Sequence, residues 1–319
     1  MINGYCQNGS PFSRRNFLAL AVGGGVAAAI PDLSAWAAAP LLSRAIPRSG
    51  ERLPVIGLGT SIVFDVHEDA ALRTERRAVL QAMLDGGGRV IDTAPSYGTA
   101  ESVVGDLLVD IGARAGTFLA TKVGAAERAP STAEMRQSLR RLRTGKLDLM
   151  QLHNVGNSDN ETAAQIALLR EWKEQGICRY IGITHYLNYA HERIIELMRR
   201  EKPDFIQVNY SLADRSVEQR LLPVAKETGT AVLINVPFGR GRLFNAVRGK
   251  ALPAWAVEFD AASWGQFFLK YILAQEAVTC VIPGTDKPEY MIDNLNAGRG
   301  RLPDKAMRKK MVEFFESSS

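Results

Sequence analysis

From residue 53 onward the chain alternates short apolar runs with longer amphipathic ones. The short runs are PVIGLGT (54–60), RVIDTA (89–94), FLATKV (118–123), LDLMQLHN (147–154), RYIGITH (179–185), FIQVNY (205–210), AVLINV (231–236) and TCVIPG (279–284). They are nearly continuous in Val, Ile and Leu and do not alternate apolar with polar. That is the pattern of parallel strands covered on both faces. Helix-like stretches lie between them at 74–86, 101–112, 131–143, 160–176, 189–201, 216–228 and 261–276. A further one at 288–297 follows the last strand, and 303–316 reads as a closing C-terminal helix. Ser131 and Glu134 have capping-box spacing. Gly176 and Gly229 stand where helices should stop, and Pro288 suits a first helical turn. Eight strand–helix units in about 265 residues match a (β/α)8 barrel in count and length. The rival, an open doubly wound sheet, would carry a glycine-rich phosphate turn after its first strand. GLGTS lacks the G-x-G-x-x-G spacing, because the third glycine position is Ile62. The expected fold is therefore α/β, a (β/α)8 TIM barrel in a single domain.

The first 40 residues follow a different pattern. SRRNFLAL (13–20) carries paired Arg14 and Arg15, a Gly/Ala-rich apolar run follows at 19–30, and Ala35-Trp36-Ala37 is a small-x-small site. Charged region, short apolar region and cleavage site in that order read as a secretory signal, and the paired arginines point to the twin-arginine route. An apolar run of about a dozen residues is too short to span a bilayer, which takes ~20. We therefore expect residues 1–37 to be a twin-arginine signal peptide, 38–50 a linker and 51–319 the barrel. The protein would be periplasmic or otherwise exported after cleavage near Ala37. Its partners would include the twin-arginine export machinery, and no membrane span would remain after processing.

Composition agrees with a soluble globular chain, at 46% apolar and 23% charged. The net charge of +5 is spread out, with no long basic run and no aromatic–basic interleaving, which argues against nucleic-acid binding. Of the three cysteines, Cys6 falls in the segment to be removed. Cys178 and Cys280 sit in strand-like apolar runs and are expected to be free. No zinc-type Cys/His spacing occurs, and no metal site is expected.

Barrel enzymes carry their chemistry at the C-terminal ends of strands. Those ends hold Gly59 and Thr60, Asp92 with Tyr97 just beyond, Lys122, His153 and Asn154, Thr184 and His185, then Gln207 and Asn209. Alone, each has a structural explanation: a turn-capping acid, a packing tyrosine, a surface lysine, a core histidine. Together, an acid, a lysine and a histidine on three successive strands face one small volume. Unpaired burial of Asp or Lys is costly, so the two should pair. The paired ammonium would then sit beside the Tyr97 hydroxyl, and a neighbouring cation is expected to lower a phenol pKa that starts near ~10. Such a tyrosine can deliver a proton, while His153 donates a hydrogen bond to a substrate oxygen. Reduction of a carbonyl fits these groups, with nicotinamide as the common source of reducing equivalents.

At this point the chain resembles the aldo-keto reductases, over about residues 50–316. DTAPSYG, TKVG and LHN match the family's tetrad in order, as Asp92, Tyr97, Lys122 and His153. The resemblance implies NADP(H) bound extended across the barrel mouth without a Rossmann domain, NAD(H) being the second choice. GITHY resembles the segment where a Ser-Asn pair and a strand-6 glutamine hold the carboxamide, here Thr184, His185 and Gln207. NVPFGRGRLF (235–244) resembles the loop around the pyrophosphate, with Gly239 and Gly241 allowing close backbone approach. Asn235 stands where many members place an aromatic that stacks on nicotinamide. IPGTDKPEYMIDN (282–294) resembles the segment that grips the adenosine 2′-phosphate. Thr285 and Asn294 match it by type, Asp293 replaces Glu, Gly284 and Tyr290 stand where Lys and Arg are common, and Lys287 is the remaining cation. With Thr60 and Asp92 these are the candidate cofactor residues. Phe64, Val155 and Tyr186 are candidates for the substrate rim, and the short tail after 303 implies an open pocket. The substrate would be a small carbonyl compound. Two rivals remain: a low-turnover nicotinamide-binding regulatory or sensing barrel, and a lyase using Lys122 as a Schiff-base amine. An exported member would leave the cytoplasm with its cofactor already bound.

Overall fold

A computed structural model of the chain describes residues 39–156 and 158–318. The expected signal peptide lies outside the described residues. Ten strands are assigned among them. β1 (Ser43–Ala45) and β2 (Arg52–Pro54) form an antiparallel hairpin. The other eight are β3 (Leu58–Gly59), β4 (Val90–Asp92), β5 (Phe118–Val123), β6 (Leu147–Leu152), β7 (Cys178–His185), β8 (Phe205–Asn209), β9 (Ala231–Asn235) and β10 (Cys280–Val281). Each pairs in parallel with the next in chain order. The sheet closes on itself where Gly57 N–H donates to Val281 O at 2.9 Å and Val281 N–H donates to Val55 O at 2.9 Å. This is the expected (β/α)8 barrel. The GLG of the first strand serves that closure. A Cβ on Gly57 would lie 2.7 Å from Val90 O, and one on Gly59 would lie 2.7 Å from Ile282 O.

The helices are α1 (Ala70–Asp85), α2 (Ala100–Ile111), α3 (Arg128–Arg141), α4 (Asp159–Glu174), α5 (His191–Glu201), α6 (Leu221–Thr228), the short α7 (Arg242–Ala246), α8 (Trp264–Leu273), α9 (Pro288–Ala297) and α10 (Lys305–Ser318). Pro288 does open α9, and Gly229 ends α6 in the left-handed region at φ 64°. The capping-box expectation is corrected: α3 begins at Arg128, which puts Ser131 inside the first turn. The two side chains work on the preceding loop instead. Ser131 Oγ donates to Ala125 O at 2.8 Å, and Glu134 Oε2 accepts from Gly124 N–H at 2.8 Å.

The expected linker at 38–50 is also corrected. It contains β1, which pairs with β2 just beyond it, and Ile46, which is fully buried. Ile46 and Leu53 join Phe118, Leu149, Tyr180, Phe205 and Leu233 in the cluster that fills the barrel floor. Burying each such side chain contributes about 1.5–3 kcal/mol. Tyr180 Oη, donating to Glu51 Oε2 at 2.6 Å and so left to accept from Ser49 Oγ at 2.8 Å, ties the hairpin down. Cys178 and Cys280 are buried and free. No helix among the described residues is long and apolar enough to cross a membrane.

Candidate active site

Further along the same strands from the floor, toward their C-terminal ends, the barrel becomes polar. Lys122 Nζ lies 2.6 Å from Asp92 Oδ2 and donates a second hydrogen bond, at 2.8 Å, to Thr93 O. Asp92 Oδ1 accepts from Gln151 Nε2 at 3.0 Å and from Gln207 Nε2 at 2.7 Å. The pair is 1% and 3% exposed, so these bonds are what make burial of both charges tolerable. Burial draws the Lys122 pKa down, but Asp92 and then Tyr97 draw it up more strongly, and the net shift is upward.

Tyr97 reaches back over this pair from the loop after β4. Lys122 Nζ sits 4.8 Å from the centroid of its ring. Asp65, on the loop after β3, holds the Tyr97 loop in place by accepting from Thr99 N–H at 2.8 Å and Thr99 Oγ1 at 2.9 Å. Gly98 between them has φ 61°, and a Cβ there would lie 2.3 Å from the Asp65 carboxylate. The sequence suggested a lowered Tyr97 pKa, and the structure reverses that sign. Burial pushes the phenol up, Lys122 pulls it down, Asp92 pushes it up again, and the net is upward. The nearby carboxylate cancels much of the ammonium's field, so desolvation decides the direction.

His153 meets Tyr97 edge to face, with centroids 5.9 Å apart and planes at 85°. Burial first, then Lys122, lowers its pKa to about 4, so its imidazole is neutral at pH 7. The loop after His153 is clamped to β7: Thr184 Oγ1 accepts from Asn154 N–H at 3.0 Å, and Thr184 O accepts from Val155 N–H at 3.0 Å. Asn154 takes φ 57° to make this turn.

These groups face a cavity of about 650 Å³. Asp92, Tyr97, His153, Thr184, Gln207 and Asn235 line it, with Thr60 and Ile62 on one side and Phe238, Arg240 and Gly241 on the other. No lining residue comes from beyond Gly284. A groove of about 680 Å³ between α1 and α9 is similar in size, but no buried ionisable group lines it.

Several expected residues lie outside the cavity. The His185 ring is engaged by Leu187 N–H at 3.1 Å and Tyr189 Oη at 3.3 Å. Gly239 lines a neighbouring groove of about 640 Å³ instead. Thr285 Oγ1 donates to Lys287 O at 3.4 Å, and the Lys287 ammonium lies 5.7 Å from the Tyr290 ring centroid. Asp293 accepts from Ser263 Oγ at 2.7 Å and Gln266 Nε2 at 2.8 Å, and Asn294 is buried beside it. Phe64 and Val155 are core residues, 0% and 5% exposed, whereas Tyr186 does line the cavity. Sequence reasoning placed Asn154 at a strand end without giving it a role, and passed over Arg240 and Asp65. Arg240 sits between two glycines in a run of three left-handed residues, so the GRG triplet was its available signal.

Among the described residues no group of three or more His, Cys, Asp or Glu is arranged to hold a metal ion. The cavity does suit an amide-bearing dinucleotide. Asn235 Oδ1 is a buried acceptor with no partner in its wall. The Gly239–Gly241 turn, with φ 57° at Gly239 and 84° at Gly241, leaves backbone open to approach.

A closed parallel barrel whose mouth holds a buried Asp–Lys pair beneath a tyrosine and a neutral histidine defines a class of barrel oxidoreductases. The chain matches the model of the Aldo/keto reductase family over residues 55–310, and it belongs to that family. It is 32% identical over 237 residues to methylglyoxal reductase YeaE of Escherichia coli, covering 72% of this chain and 80% of that one. It is 26% identical to the NADH-specific methylglyoxal reductase of the same organism, covering 76% and 90%. Among solved structures, an aldo-keto reductase from Klebsiella pneumoniae in complex with NADPH superposes with a TM-score of 0.71 at 26% identity, covering 87% of this chain and 95% of that one.

Proposed function

We propose that this chain is an NADP(H)-dependent oxidoreductase that reduces a small aldehyde or ketone to the alcohol. The observation that carries the reading is the buried Asp92–Lys122 pair beneath Tyr97, with neutral His153 at its edge, behind a cavity that Asp92, Tyr97 and His153 line. Bound cofactor would supply the two-electron reducing equivalent. Tyr97 holds the proton. Its raised pKa keeps the phenol loaded at neutral pH, and negative charge developing on the substrate oxygen draws the proton across. The Lys122 ammonium stabilises the phenolate left behind, and Asp92 fixes that ammonium in position. His153, neutral down to about pH 4, donates an N–H to the substrate oxygen and so orients the carbonyl. A Schiff-base amine must lose its proton before it attacks, and a lysine whose pKa is raised by a carboxylate at 2.6 Å is poorly suited to that.

Thr60, Thr184, Gln207, Asn235, Arg240 and Gly241 are the cavity residues available to hold the dinucleotide. The NADPH complex of the Klebsiella relative supports NADP(H), and the NADH-specific relative makes NAD(H) the comparison to run. Two relatives named methylglyoxal reductases make a small 2-oxoaldehyde the first substrate to try. We also propose that residues 1–37 export the folded, cofactor-loaded protein; recovery of cofactor-free protein from the periplasm would contradict this. The activity is tested by following NADPH and NADH absorbance with methylglyoxal and a panel of aldehydes and ketones. Consumption matched by alcohol formation is expected. Tight cofactor binding without turnover on any carbonyl would overturn the reductase reading and favour a sensing barrel.

A further inference from the structure

Asp92 sets the direction of a chain of side-chain amides that ends at the cavity wall. A carboxylate only accepts hydrogen bonds. Gln207 must therefore turn its NH2 toward Asp92 Oδ1, at 2.7 Å, and its second hydrogen meets Gln151 Oε1 at 3.2 Å. With its nitrogen committed, Gln207 presents Oε1 to the other side, where Asn235 Nδ2 donates to it at 3.4 Å. Asn235 in turn has no choice of orientation. Its Oδ1 is left buried, without a partner, in a side chain that lines the catalytic cavity. An orphaned buried acceptor is expensive in a native fold and calls for an explanation.

The residues expected to hold a carboxamide are engaged elsewhere or only half free. The His185 ring is taken up by Leu187 and Tyr189. Both amide hydrogens of Gln207 are spent on Asp92 and Gln151. Thr184 Oγ1 accepts from Asn154 N–H but keeps its own hydrogen to donate. Among the strand-end residues facing this part of the cavity, that leaves one hydroxyl donor, Thr184, and beside it one orphaned acceptor, Asn235. That is the complement of a primary carboxamide, which carries one C=O and one NH2.

We infer that Asn235 Oδ1 accepts the N–H of the cofactor's primary carboxamide, through an orientation imposed by Asp92 across Gln207. This rests on the nicotinamide reading above and deepens it. An amide acceptor would do at this position what a stacking ring does by surface contact, and would couple the cofactor wall to the catalytic carboxylate.

The test compares two dinucleotides in direct binding to the purified protein by fluorescence titration. One is NADP+, with its 3-carboxamide; the other is its 3-acetylpyridine analogue, which keeps the C=O but lacks the NH2. The wild type is expected to bind the carboxamide roughly 5- to 100-fold more tightly, the range for leaving one buried acceptor unpaired. In Asn235→Leu that preference should shrink to within about twofold, and in Gln207→Met, which frees Asn235 to rotate, it should fall part of the way. Melting of the cofactor-free proteins serves as the fold control. Asn235→Leu should melt close to wild type, because it removes one orphaned acceptor while taking from Gln207 Oε1 only a long hydrogen bond. A wild type that does not discriminate, or a preference that survives in Asn235→Leu, would overturn the inference while leaving the cofactor reading intact. Failure of the wild type to bind either dinucleotide would overturn both.

Discussion

The floor and the mouth of the barrel are built by the same strands. Val90, Phe118, Leu149, Phe205 and Leu233 belong to the floor cluster. Two or four residues further on, in the same inward register, the strands supply Asp92, Lys122, Gln151, Gln207 and Asn235. Burial hardly distinguishes the two regions: Phe205 is 0% exposed, Lys122 1% and Gln207 2%. What differs is how burial is tolerated. The floor gains from leaving water. The mouth must replace lost hydration bonds with internal ones; the Asp92–Lys122–Gln151–Gln207 network does this for its charges, while Asn235 Oδ1 is left over. The mouth also holds backbone strain. Ile62, Asn154, Val236 and Arg240, all cavity-lining, have φ between 50° and 69°. One fold thus places a stabilising end and a reactive end a few residues apart.

The largest expected effect comes from breaking the mouth's charge pair. Lys122→Met strands Asp92 in the interior and should lower stability by about 3–5 kcal/mol and abolish turnover. The double variant Asp92→Leu, Lys122→Met should recover most of that stability and none of the turnover. Urea midpoints together with NADPH consumption would separate the two losses. If the single variant is as stable as wild type, the pair does not hold the mouth together.

On the floor, Phe205→Ala should destabilise by a similar ~3–5 kcal/mol but leave turnover of the folded fraction within about twofold. A selective loss of turnover at unchanged stability would contradict the division of labour. The acid limb is smaller and belongs to the mouth. His153 has a folded pKa of about 4 against 6.5 when free, so between those values the unfolded chain binds more protons than the folded one. Stability should therefore fall as pH drops from 6.5 toward 4. His153→Gln should flatten that part of the melting-temperature profile, and an unchanged profile would place the acid sensitivity elsewhere. The smallest effect is local strain. Ile62 is β-branched, 80% exposed and held at φ 69°, so Ile62→Asn should gain on the order of 1 kcal/mol. A loss of stability there would mean the side chain has a packing role.

Much of this was legible in the sequence because barrel strands announce themselves. Their inward and outward faces are both buried, so each reads as one apolar run, and the polar residue that interrupts its end marks the mouth. Asp92, Lys122 and His153 were visible for that reason. The floor hairpin was not, because its two strands are three residues each and carry no alternation. Arg240 enters the site through left-handed backbone at a non-glycine position, for which the flanking glycines were the one hint in the sequence. The sign of the Tyr97 shift was misread because burial of the phenol, with Asp92 offsetting Lys122, outweighs the ammonium, and depth of burial is not carried by residue type. His185 was carried over by its place in the strand, but the turn at Leu187 captures its ring.

Replacing Tyr97 with phenylalanine removes one oxygen atom and leaves the Asp92–Lys122 pair, the ring packing and the cofactor wall in place. Single-turnover reduction of an aldehyde by this variant, preloaded with NADPH, tests the proton donor most directly. The account predicts a drop of about 10²- to 10⁴-fold in the chemical step, with cofactor affinity within about threefold of wild type. A chemical step at the wild-type rate would contradict it.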